Sequence, residues 1–138
     1  MNSVYATLQK LRDQKKREKY IQYAEAEQKR LQKEDEVREG YRRLQEERNH
    51  SPENMGMRVV QDYLNMQRHI DIQRAEQELR EAIENAEDCR QQMVEAQVES
   101  KVMERVVETL EEKEQKRYKR QVERFNDEIA IMGWSRKQ

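Results

Sequence analysis

The side chains here that could hold a metal or move a proton are two histidines, one cysteine and 29 carboxylates. His50 and His69 each stand apart from any His/Cys/acid cluster with metal-ligand spacing. His50 reads as part of a turn and His69 as part of a helix surface. The chain has no glycine-rich phosphate loop and no nucleophile elbow. The carboxylates are spread along polar helical patterns, which offer no pocket to shift their proton affinity. Cys89 reads as a small buried residue, not a redox centre. An enzyme is therefore not expected, and no catalytic, metal or cofactor site is assigned.

The elements that carry these residues follow from composition. Charged residues make up 41% of the 138 and the apolar set only 34%, too little for an ordinary globular core. The 28 basic residues nearly cancel the 29 acidic ones, so self-repulsion does not force disorder. There are one proline and three glycines, and good helix formers dominate. Acids often precede bases by four residues, as in Asp13 and Arg17, Glu39 and Arg43, or Glu112 and Lys116. Each such pair adds about 0.2–0.5 kcal/mol to a helix. Long helices burying a narrow stripe are the consistent solution. No apolar run reaches the length of a membrane span and no signal-peptide core follows Met1, so a cytoplasmic protein is expected.

The only proline lies in "RNHSPENMG", Arg48 to Gly56, which marks the break. Ser51-Pro52-Glu53 reads as a helix start. The expectation is one unit over 1–138: a helix over about 3–48, a turn over about 49–56, and a helix over about 53–134. Alternating steps of three and four residues from Ile72 pass through Ala75, Leu79, Ala82, Ala86, Cys89, Met93, Ala96, Ser100, Met103, Val107 and Leu110, all apolar or small. Val59, Tyr63, Met66 and Ile70 form a second stripe in another phase. Tyr118, Val122, Phe125, Ile129 and Met132 form a third after a stutter. The first helix offers Val4, Leu8, Leu11, Ile21, Ala24, Leu31, Val37, Tyr41 and Leu44, with Gly40 inside it. The fold class is all-α: an antiparallel two-helix coiled-coil hairpin with a long C-terminal helix overhanging the first.

Folding back at about residue 52 places position i opposite about 104 minus i. Some thirty residues from about Glu104 then have no internal partner, roughly 45 Å if helical. Their apolar stripe implies an interaction site, either for another protein or for a second copy in a weak homodimer. "KEQKRYKRQVER", Lys113 to Arg124, holds six positive and two negative charges. A neutral chain without a stacking platform argues against nucleic acid and for an acidic protein surface.

"VMERVVETLEEKEQKRYKRQVERFNDEIAIMGW" resembles the C-terminal part of the FliJ family of flagellar export proteins, whose members often close with a segment like Asn126-Asp127-Glu128-Ile129-Ala130-Ile131. "VYATLQKLRDQKKREK" and "VVQDYLNMQRHI" resemble its earlier segments. The resemblance implies a non-enzymatic stalk-like coiled coil. Its partners would be a hexameric export ATPase, a membrane-embedded export gate and escort chaperones, and it would be peripheral at the cytoplasmic face of the inner membrane. On that reading Tyr118, Val122, Phe125, Ile129 and Met132 meet the ATPase ring through apolar contacts, and Lys116, Arg117, Lys119, Arg120 and Arg124 meet its acidic loops. Tyr63, Met66, Gln67 and Ile70 correspond to the gate-contacting surface. A structural dimerising coiled coil, or a stalk or chaperone of a virulence-type secretion system, stays open beside it.

Overall fold

A computed structural model describes the backbone of residues 2–137 and the side chains of residues 4–136. It consists of two helices, α1 (Asn2–Arg48) and α2 (Met55–Lys137), with no strand among the described residues. By contacts the chain divides into two units, one of Lys15–Ala96 and one of Met1–Gln14 with Gln97–Gln138.

In the Lys15–Ala96 unit the two helices pair in opposite sequence order. Lys19 Nζ donates to Gln92 Oε1 at 2.9 Å, Lys33 Nζ to Glu78 Oε2 at 2.9 Å, and Arg68 Nε to Glu47 Oε1 at 2.9 Å. Lys19 and Lys33 meet the residues at 111 minus i, seven farther along than the simple fold-back places them. The turn explains the difference. Asn54, not Ser51, caps α2, its Oδ1 accepting from Met57 N at 2.8 Å. Gln61 is the first half-buried position of α2, and its Nε2 donates to the carbonyls of Glu47 at 2.9 Å and His50 at 2.8 Å. The Glu47 carbonyl, in the last turn of α1, also accepts from His50 N at 3.3 Å, and the His50 carbonyl belongs to the turn. Pairing thus begins at Gln61, six residues into α2.

The seam read from Ile72 is the buried face of α2. Ile72, Ala82, Ala86 and Ala96 are buried, and Ala75, Leu79, Cys89 and Met93 are half-buried. Toward the turn the same register passes through Gln61, Asn65 and Arg68, all half-buried. The apolar Val59, Tyr63, Met66 and Ile70 are exposed. Each lies two residues before a seam position, about 200° around the helix, so the stripe faces outward.

On α1 the inward register is Lys19, Tyr23, Ala26, Arg30, Lys33, Val37, Gly40, Leu44 and Glu47, again in steps of three and four, with Ala26 and Leu44 buried and the rest half-buried. Of the apolar residues expected to face α2 in this unit, only Val37 and Leu44 do so; Ile21, Ala24, Leu31 and Tyr41 are exposed. Long basic side chains take three of the other positions: Lys19 donates to Gln92, Arg30 to Glu27 and Glu34 on its own helix, and Lys33 to Glu78. Gly40 is a packing device. A Cβ there would lie 3.1 Å from Ile72 Cγ1, and Ile72 is only 4% exposed, so the missing side chain makes the hole that Ile72 occupies.

In the Met1–Gln14 and Gln97–Gln138 unit, Ser100 is the buried polar residue of the seam, and its Oγ donates to Asp13 Oδ1 at 2.8 Å. Arg12 pairs with Glu99 beside it. Tyr5, Ala6 and Gln9 line a small cavity with Val107, Leu110 and Glu111. Met103, Val107, Leu110 and Glu114 continue the half-buried register, and every described position after Glu114 is exposed.

Ion pairs add to the seam without replacing it. Glu39 has its pKa lowered to about 2 by hydrogen bonds from Arg42 and Arg43, and Lys33 lowers that of Glu78 while its own is raised by Glu78 and Glu36. Carboxylates held below their ordinary 4.5 contribute stability that is present above that value and lost as pH falls through the folded value. The urea midpoint of helix loss, followed by circular dichroism, is therefore expected to hold from neutral pH to about 4.5 and to fall toward about pH 2. Glu39→Gln should flatten part of that decline. Gly40→Leu is expected to cost about 1–3 kcal/mol in the same assay by driving a side chain into Ile72. An unchanged midpoint in Gly40→Leu would contradict the Gly40–Ile72 packing.

Candidate interaction surfaces

The structure places the sequence-derived residues on two separate exposed surfaces, each described within its own unit. In the first, Lys116, Arg117, Tyr118, Lys119, Arg120, Val122, Arg124, Phe125, Ile129 and Met132 are all exposed on α2. The apolar five follow steps of four, three, four and three residues, which keep them on one side of a helix. Tyr118 is 70% exposed, Phe125 61% and Ile129 51%. They sit one residue out of phase with the continued seam, whose next positions are Arg117, Gln121, Arg124 and Glu128. None of the five cations is ion-paired among the described residues, so each charge is presented to whatever approaches. Ile131 and Trp134 add exposed apolar surface on other faces of the same stretch. Crowding of apolar types in "FNDEIAIMGW" was the signal that could have added both to the site.

In the Lys15–Ala96 unit, Tyr63, Met66 and Ile70 are exposed and Gln67 is half-buried. Gln67 therefore borders the stripe and does not belong to it. Met55, Met57, Val60 and Leu64 are exposed in the same stretch. Sequence reading missed these four; Met57, Val60 and Leu64 form a short stripe of their own, in which Val60 and Leu64 lie one residue past Val59 and Tyr63.

Cys89 is half-buried on the seam, with Sγ 4.0 Å from Asn85 Oδ1. His69 Nε2 lies 3.1 Å from Arg48 Nη2. Among the described residues no group of three or more His, Cys, Asp or Glu side chains is placed to hold a metal ion, and no helix is long and apolar enough to cross a membrane.

The family comparison decides what kind of protein this is: the model described as flagellar FliJ protein matches residues 1–138, the whole chain. The chain belongs to the FliJ family. It is a component of flagellar type III protein export, and the family is non-enzymatic. No curated protein and no solved structure matches the chain.

Trp134 is the only tryptophan, and it is 65% exposed. Its fluorescence is expected to match indole in water and to be fully open to acrylamide quenching in the isolated protein. A blue-shifted, shielded emission at low protein concentration would contradict the exposure of this end of α2.

Proposed function

We propose that this FliJ-family protein is an antiparallel coiled-coil hairpin whose second helix overhangs the first, and that the overhang binds and activates the hexameric export ATPase. The observation that carries the reading is the exposed stripe Tyr118, Val122, Phe125, Ile129 and Met132, which begins just past the last half-buried residue, Glu114. Soluble chains seldom leave a contiguous apolar stripe uncovered unless another surface meets it. A central stalk needs an unpaired helical end of this kind, with apolar residues for the ring lining and cations for its acidic loops. Lys116, Arg117, Lys119, Arg120 and Arg124 supply those cations, and complementary charge also speeds encounter.

Activation would work by assembly. One asymmetric helix end binds inside a symmetric ring, favours the closed ring, and so raises ATP hydrolysis by population shift. The outward stripe of Tyr63, Met66 and Ile70, bordered by Gln67, would meet the export gate, linking ATPase to membrane from a cytoplasmic, peripheral position. Escort chaperones would be exchanged on the same exposed surfaces.

Ile129→Asp places a charge in the middle of the C-terminal stripe at a position with no packing to lose. It is expected to abolish stimulation of the purified cognate ATPase while leaving helical content and urea midpoint within about 0.5 kcal/mol of the parent. Full stimulation by this variant would overturn the proposed ring contact. A concentration-dependent dimer that Ile129→Asp converts to monomer, with no ATPase effect in either form, would assign the stripe to self-association.

A further inference from the structure

The back of α2, away from the seam, carries charges that the single chain does not pair. On a helix turning about 100° per residue, Met103, Val107 and Leu110 lie within about 40° of Glu114, and the exposed stripe from Tyr118 to Met132 within about 80°. Arg105, Glu112, Lys116 and Glu123 lie within about 20° of the opposite point, and Lys101, Glu108, Arg120 and Asp127 within about 60° of it. All eight are exposed, and none is ion-paired among the described residues.

The signs of these charges are arranged about Glu114. From Glu104 to Glu114 there are five acids and two bases; from Gln115 to Arg124 there are five bases and one acid. Reflection about Glu114 exchanges each charge of the face for its opposite: Lys101 with Asp127, Arg105 with Glu123, Glu108 with Arg120, and Glu112 with Lys116. Farther around the helix, Glu104 with Arg124 and Glu111 with Arg117 follow the same rule. Two copies of one helix crossing antiparallel at Glu114 have this symmetry. In-register parallel pairing would instead set each charge against its own kind. Glu114 itself is half-buried on the seam side, so the residue on the axis lies off the contact. Lys113 and Lys119 fall opposite Gln115 and Thr109, which carry no charge.

We propose that the back of α2 over 101–127 is a self-pairing surface, and that its partner is the same stretch of a second copy running the other way. Twofold symmetry forms every ion pair twice. Ion pairs between exposed side chains each contribute little, so the pairing is weak and salt-sensitive, and the chain is a monomer at low concentration. The charges supply register and orientation more than affinity. The surface leaves the seam and the apolar stripe uncovered, so it stands without the ATPase reading. Where that reading also holds, Lys116 and Arg120 serve both contacts, and the ring and the second copy compete for them.

Sedimentation equilibrium of the full chain over a range of concentrations tests this. It is expected to find monomer and dimer, with a dissociation constant about tenfold or more weaker at about 1 M salt, where the screening length is about 3 Å, than at low salt. Arg105→Glu and Glu123→Arg, at exposed positions outside the cations proposed for the ATPase, should keep the parent helical content by circular dichroism. Each should weaken the dimer about tenfold or more, because each sets like charges together at two symmetric places. Combining them restores opposite charge across the axis, and the double variant should return to within about threefold of the parent. The two positions are about 27 Å apart along one helix, so rescue reports contact between chains. Ile129→Asp, in the apolar stripe, should leave the dimer unchanged. The proposal is overturned if the chain is monomeric at every concentration, if salt does not weaken the dimer, if the double variant is no better than the single ones, or if Ile129→Asp dissolves the dimer.

Discussion

Close approach of two helices along a seam of small residues is the constraint on which the rest of this protein depends. Ala82, Ala86 and Ala96 are each no more than 5% exposed, and no described side chain is both large and fully buried. Such a seam removes little apolar area, so each large contact matters: burying Leu44 or Ile72 contributes about 1.5–3 kcal/mol, against about 0.2–1 for a surface ion pair. The cross-helix polar contacts therefore set register more than they supply stability. Ser100 with Asp13, Arg12 with Glu99, and Lys33 with Glu78 can form only if the helices are in step. That seam decides which apolar residues stay inside and which stay exposed.

The α2 seam from Ile72 to Leu110 was legible because twelve small or apolar residues at regular spacing stand out in a chain so highly charged. The α1 side was not. Its half-buried positions include Gln9, Arg12, Lys19, Arg30, Lys33 and Glu47, whose types read as solvent-facing. Arg12, Lys19, Lys33 and Glu47 have cross-helix partners that hydropathy does not show. Near the turn the pattern misleads in the opposite sense. Val59, Tyr63, Met66 and Ile70 look like core, yet the seam runs through Gln61, Asn65 and Arg68. Periodicity reports which face of a helix is apolar; it does not report which face is paired. The register offset also lay beyond reading, because it depends on Gln61 closing the end of α1 and on six residues of α2 preceding it.

Of the proposed interaction surfaces, the exposure of the C-terminal stripe was legible in the sequence. Its stripe follows a stutter, so it does not continue the internal seam, and every described residue after Glu114 is exposed. The surface at the turn was legible in part: the outward stripe was visible as a pattern, but the exposed Met57, Val60 and Leu64 were missed. The proposed reading is a division of labour. The alanines of the seam, with Leu44 and Ile72, hold the helices together, and the exposed apolar stripes are proposed to serve partners.

Amide hydrogen exchange of the full chain, alone and with the assembled cognate ATPase, tests that division most directly. The account predicts slow exchange along 61–110 in both states, fast exchange over 115–136 in the isolated protein, and strong protection of 115–136 on adding the ring. Residues 115–136 already protected in the isolated protein, or unchanged when the ring is added, would contradict it.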